Sequence, residues 1–81
     1  MEDETFRIAD IYVPVKRRRT LDEGVVNEIA ASILEEGQKK PILVRRDGER
    51  LVLVEGLHRL EACRLLGEET IVGLIVQARQ R

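Results

Sequence analysis

Val54-Glu55-Gly56-Leu57-His58-Arg59-Leu60-Glu61-Ala62 is the stretch on which the reading of this chain turns. The run Leu51-Val52-Leu53-Val54 is apolar on both faces and reads as a central strand. Gly56 breaks that run, and Leu57 to Leu66 reads as a helix stopped at Gly67. A strand, a glycine and a helix start together present backbone amides to an anion. The first amides of a helix lack partners, and the helix dipole adds partial positive charge there. Gly56 lets the backbone turn and approach a ligand closely. His58 and Arg59 add side-chain donors at the same end, and an arginine can grip a phosphate through two parallel bonds. Two cations at a helix N-terminus are otherwise disfavoured, which points to an anion beside them. Glu55 is one candidate for that anion, and a tight turn with two solvated cations is the plain alternative.

Upstream of this junction, Pro41 to Arg45 begins another strand, and Asp47-Gly48 signals a hairpin turn, with a longer loop reaching to Arg50 as the alternative. Downstream, Thr70 to Val76 reads as a last strand. Toward the N-terminus, Val26, Ile29, Ala30, Ile33 and Leu34 fall at helical spacing. Thr20-Leu21-Asp22-Glu23 fits a capping box with Asp22 as a rival cap, and Gly37 is the natural stop. The helix predicted there spans 21–36. Phe6 to Val13 alternates loosely and reads as one first strand ended by Pro14. The predicted order is β-α-β-β-α-β. This is an α+β fold: a small mixed sheet with two packed helices.

The chain has 81 residues, which is one domain's worth, with residues 1–5 and 77–81 expected to be flexible. Its core must be aliphatic, because Phe6 and Tyr12 are its only aromatics. Scarce aromatics also argue against single-stranded nucleic acid, whose bases need rings to stack on. Fourteen basic residues offset fifteen acidic ones for a net charge of -1, unlike a stand-alone DNA binder. Lys16, Arg17, Arg18 and Arg19, with Lys39 and Lys40, still form a candidate DNA-contacting patch; a solvated basic loop is the alternative. The single cysteine, Cys63, excludes an internal disulfide and a cysteine-based zinc site, and no metal site is expected. No apolar run approaches the ~20 residues that span a bilayer, so no membrane contact and a cytoplasmic location are expected.

Three segments of the chain resemble the ParB/sulfiredoxin-like domain, named for the N-terminal domain of ParB partition proteins. Leu21 to Gly37 is similar to the family's first helix, and Gly37 to Arg45 to its next loop and strand. Gly56-Leu57-His58-Arg59-Leu60-Glu61-Ala62 resembles its Gly-x-x-Arg-x-x-Ala box. In ParB proteins this domain is a CTP-binding switch whose box holds the triphosphate, and in sulfiredoxin the equivalent Gly-x-His-Arg stretch binds ATP phosphates. The resemblance therefore implies a nucleotide or phosphate site at Gly56, Leu57, His58 and Arg59, with CTP or ATP and Mg²⁺ as the cofactor. It adds Ser32, on the first helix, and Arg18, in the loop before it. An ordinary helix serine bonding back to a carbonyl is the alternative for Ser32.

Departures from the family pattern limit what carries over. Sulfiredoxin's catalytic cysteine falls at Leu57, so sulfinic-acid reductase chemistry is lost. ParB's box reads Gly-Glu-Arg-Arg, and Leu57 and His58 replace its middle residues. The chain shows no helix-turn-helix or dimerisation domain, so centromere binding is expected to need other domains or partner proteins. The leading expectation is a ParB-like nucleotide- or phosphate-binding module of a plasmid or chromosome partition system, or of another DNA-linked one. A homodimer is among its expected partners. The rivals are a kinase- or nuclease-like enzyme using Glu55, Glu61 or Glu28, and a direct DNA-binding domain.

Overall fold

The computed structural model describes residues 3–77. It contains strands β1 (Glu4–Arg7), β2 (Ile11–Tyr12), β3 (Ile42–Asp47), β4 (Arg50–Glu55) and β5 (Thr70–Ile75). Its helices are α1 (Val15–Arg18), α2 (Glu23–Glu36) and α3 (Leu57–Leu65). The strands form one mixed sheet in the order β1-β5-β3-β4-β2. β1 with β5 and β3 with β4 are antiparallel, whereas β2 with β4 and β3 with β5 are parallel. The α+β class is as the sequence predicts. β4 lies between β3 and β2, and the middle of the sheet is β3.

The single first strand predicted over Phe6 to Val13 is instead two strands at opposite ends of the sheet. A 3-10 turn over Ile8–Asp10 separates them, closed by a bond from the Ile11 N–H to the Ile8 carbonyl. The buried positions explain the break. Phe6 and Ile8 alternate, and so do Ile11 and Val13, but the step from Ile8 to Ile11 is three positions, so the strand parity is lost between them. This short link also shapes the sheet. Four strand spacings amount to ~19 Å on a flat sheet, whereas the steps from Arg7 to Ile11 reach at most ~15 Å. The sheet therefore curls until its two edge strands can be joined by one turn. Phe6, Ile8, Ile11 and Val13 are buried with Ile42, Val44 and Ile71 in the core of that curl.

Residues 15–18, predicted as loop, form the short helix α1. Pro14 is its N-cap and its carbonyl accepts from the Arg17 and Arg18 amides at 3.0 and 3.3 Å. Lysine and arginine are good helix formers, so a proline-set start suffices for one turn. The rival cap wins at α2. Asp22 Oδ1 accepts from the Gly24 and Val25 amides at 2.9 and 3.3 Å, and the Thr20 hydroxyl donates back to the Arg17 carbonyl at 2.7 Å. The helix consequently starts at Glu23 rather than 21. At the hairpin, Arg50 already pairs with Asp47, so the loop is only Gly48-Glu49. Glu4 and Thr5, expected to fray, belong to β1; residues 1, 2 and 78–81 of the predicted flexible ends lie outside the described residues.

α3 packs on the sheet through Leu57, Leu60 and Cys63. α2 packs on α3, with Val26 and Ala30 against Ala62. Gln38 closes the sheet below β3. Its amide pairs with the Val72 backbone like a strand residue, accepting from the N–H at 3.0 Å and donating to the carbonyl at 2.9 Å. This substitutes for a β-ladder pair before β3 begins and satisfies two partly buried backbone groups. Its length and position in the loop gave no sequence cue.

Candidate anion site at the start of α3

The junction is built by three local features. The β3–β4 register shifts so that Leu43 pairs with Glu55 and Val44 with Leu53, which leaves Val54 as a bulge residue. Bulges re-aim the chain at sheet ends. Gly56 then adopts φ 111°, and a Cβ there would lie 2.7 Å from Ile42 Cγ2. The glycine thus sets the turn, and it also lets α3 start directly over β3. From there α3 begins with no side-chain cap, in contrast to α2 with its Asp22. Its first amides are the unpartnered donors of an ordinary helix start.

A depression of about 350 Å³ opens beside these amides, lined by Glu55 to Arg59, by Arg17 and Thr20, and by Val25 and Ile29 of α2. Two helix starts and the α1 segment therefore meet at one place. Among the described residues the ion pairs are Lys39–Glu36, Arg50–Asp47 and Arg64–Glu61, so neither Arg17 nor Arg59 is neutralised by a carboxylate. A second depression, of about 460 Å³ between α2 and α3, lacks this character: its one cation, Arg64, is held by Glu61 at 3.5 Å.

Of the residues expected to form the site, Gly56, His58 and Arg59 line this depression, and Leu57 contributes backbone only, since its side chain is buried in the core. His58 Nε2 accepts a hydrogen bond from the Asp22 N–H at 3.0 Å. Ser32 is exposed and is not part of the lining, though it lies one turn beyond Ile29 on the same helical stripe. Arg18 faces a different depression, beyond Leu57, with Ile11 and Val13. Arg17, expected only in the basic patch, takes the place beside Gly56. The patch itself is divided: Lys16 to Arg19 precede α2 and Lys39 and Lys40 follow it, ends ~21 Å apart along a 14-residue helix. Of the candidate catalytic carboxylates, Glu55 lines the depression, Glu61 is turned to Arg64, and Glu28 is exposed on α2. Among the described residues no three of His, Cys, Asp and Glu gather to hold a metal ion.

Cys63 lies one helical turn beyond Arg59 and is buried in the core. Burial pushes its thiol above the ordinary range, the Glu68 carboxylate adds to this, and the Arg59 guanidinium partly opposes both. A thiol raised in the folded state favours folding below its unfolded value, about 8.5, and that stability is lost as pH rises through the folded value. Chemical denaturation across pH 8 to 10 is thus expected to show a steeper alkaline loss of stability in the wild type than in Cys63→Ala. Parallel curves would remove this account of the thiol.

A family model for the ParB N-terminal domain matches residues 4–81. The chain belongs to the ParB N-terminal domain family. A probable chromosome-partitioning protein ParB of Campylobacter jejuni is 34% identical over 62 residues, which are 76% of this chain and 22% of that protein. The chain spans about a quarter of the length of the curated relatives it matches, from 22% to 26%. Among solved structures, sulfiredoxin from Arabidopsis thaliana superimposes with a TM-score of 0.87 at 29% identity, over 96% of this chain and 88% of that one. C-terminally truncated ParB from Caulobacter crescentus, complexed with CTP-gamma-S, gives a TM-score of 0.82 at 25% identity, over 99% of this chain and 47% of that one. This ParB N-terminal domain thus has the sulfiredoxin-like fold that its sequence predicts. Among its described residues no helix is long and apolar enough to cross a membrane.

Proposed function

We propose that this ParB N-terminal domain is a nucleotide-binding module of a chromosome or plasmid partition protein, and that the start of α3 holds the phosphates. The observation that carries this is the uncapped α3 N-terminus opening on a depression where Arg17 and Arg59 have no carboxylate partner. The half-buried Arg59 guanidinium needs an anion to offset its desolvation, the exposed Arg17 lines the same depression, and phosphate oxygens match both of them and the helix amides. The Caulobacter ParB complexed with CTP-gamma-S, at 25% identity over 99% of the chain, makes CTP the first ligand to try. Any Mg²⁺ would arrive on the triphosphate and keep most of its waters, with Glu55 the one carboxylate lining the depression. Contact with centromeric DNA, which another Caulobacter ParB structure contains, belongs in this reading to further domains or partner chains. A cytoplasmic location accompanies it.

Arg59→Ala is expected to weaken CTP binding by about 10- to 100-fold, the worth of a charge-assisted bond or pair of bonds, ~1.5–3 kcal/mol. Calorimetric titration with CTP, ATP and Mg²⁺ reads the loss, and circular dichroism checks that the variant is folded. Unchanged affinity in a folded variant would remove the phosphate site.

A further inference from the structure

Asp22 caps α2 through its side chain, but its own backbone N–H precedes the helix and has no helical partner. In a complete capping box the third helical residue, a glutamate or glutamine, turns back to accept from that N–H. Here the third helical residue is Val25, which has no acceptor. The acceptor comes instead from another helix: His58 Nε2 lies 3.0 Å from the Asp22 nitrogen, across 36 residues. Among the described residues, the backbone of the segment this bond ties down makes no other long-range hydrogen bond. Residues 15–22 are all exposed, and their remaining backbone bonds are local, such as Thr20 N–H to the Arg17 carbonyl at 3.0 Å.

We propose that His58 is a positioning residue, which completes the α2 capping box from α3 and so holds the Arg17-bearing segment against the anion site. This rests on the nucleotide-binding reading for its consequence, though not for the bond itself. The geometry fixes the chemistry of the ring. Nε2 is spent as an acceptor, so the bond exists only with the neutral imidazole, and Nδ1–H is the donor left over. The charged groups around the ring are Arg17 from α1, Glu55 from the end of β4 and Arg59 from α3 itself, with Asp22 across the bond. Losing the bond frees residues 15–22 and lets Arg17 leave the depression. Affinity for an anion therefore depends on a hydrogen bond that the anion need not touch.

Two substitutions separate this from direct contact between ring and ligand. His58→Gln supplies an amide oxygen near the position of Nε2 and can still accept. His58→Lys brings a cation suited to phosphate but no acceptor. In the free protein, hydrogen exchange of the Asp22 amide should accelerate about three- to tenfold in His58→Lys, the worth of one ordinary hydrogen bond, and return toward wild type in His58→Gln. CTP titration should follow the same order, with His58→Lys weaker despite its added charge and His58→Gln recovering most of the loss. Asp22 exchange unchanged in His58→Lys overturns the proposal, and so does His58→Lys binding CTP better than His58→Gln. The exchange measurement needs no ligand. Failure of the nucleotide reading, seen as unchanged binding in Arg59→Ala, is therefore distinguishable from failure of the cap.

Discussion

Gly56→Ala is expected to destabilise the domain by about 2–5 kcal/mol, the sum of ~1–2 for a side chain at positive φ and ~1–3 for overpacking. The φ of 111° is one cause. The other is Ile42, whose Cγ2, Cβ and Cα would lie 2.7, 3.0 and 3.3 Å from the new methyl. Ile42 has little room to retreat. It is fully buried, and on another side it meets Gly73, where a Cβ would already be 3.0 Å from Ile42 Cγ1. A domain of this size has roughly 4–12 kcal/mol in all, so the variant is marginal at best. Urea unfolding in a double-mutant cycle with Ile42→Ala separates the causes. With Cγ2 gone and only Cβ and Cα left at 3.0 and 3.3 Å, the alanine at 56 should cost clearly less in the Ile42→Ala background, approaching the backbone part of ~1–2 kcal/mol. An equal cost in both backgrounds would show that the contact with Ile42 is not what requires glycine.

That double role of Gly56 bears on what can be read from a sequence. The glycine was legible as a turn and as a place of close approach, because strand, glycine and helix follow one another directly. What approaches it was not legible: the closest neighbour in the structure is Ile42, from a strand end fourteen residues away. α2, α3 and the β3–β4 hairpin were legible for the same local reason, since capping residues, helical spacing and Asp47-Gly48 act within a few positions. The first strand was misread because Phe6, Ile8, Ile11 and Val13 look like one alternating series unless the odd step from Ile8 to Ile11 is noticed. The site was half legible. Its α3 side is contiguous in sequence, whereas Arg17, Thr20 and Val25 join it only because α2 packs beside α3. Thr20 and Asp22 were both reasonable caps, and Asp22 prevails where its N–H finds His58 and its carboxylate finds Gly24 and Val25. That choice depends on tertiary contact, which local propensity does not contain.

Leu60→Ala should cost about 2–5 kcal/mol, the range for deleting a fully buried leucine from a core that relaxes incompletely. Leu60 has no exposed surface and packs in the cluster that holds α3 against the sheet. Its neighbour Arg59 sits half-buried on the side of the depression. Successive helical residues point about 100° apart, so one faces the core and the other the depression. The two alanine variants should therefore divide cleanly. Leu60→Ala should lower the urea midpoint strongly, while its folded fraction binds CTP nearly as wild type does, because the Leu60 N–H still bonds the Gly56 carbonyl at 2.9 Å and keeps the helix start in place. Arg59→Ala should do the reverse, with a stability change within about 1 kcal/mol and a large loss of affinity. A Leu60→Ala cost below ~1 kcal/mol would mean that α3 is not anchored through this residue. Loss of binding in its folded state would mean that the helix start is positioned by core packing rather than by the Gly56 turn.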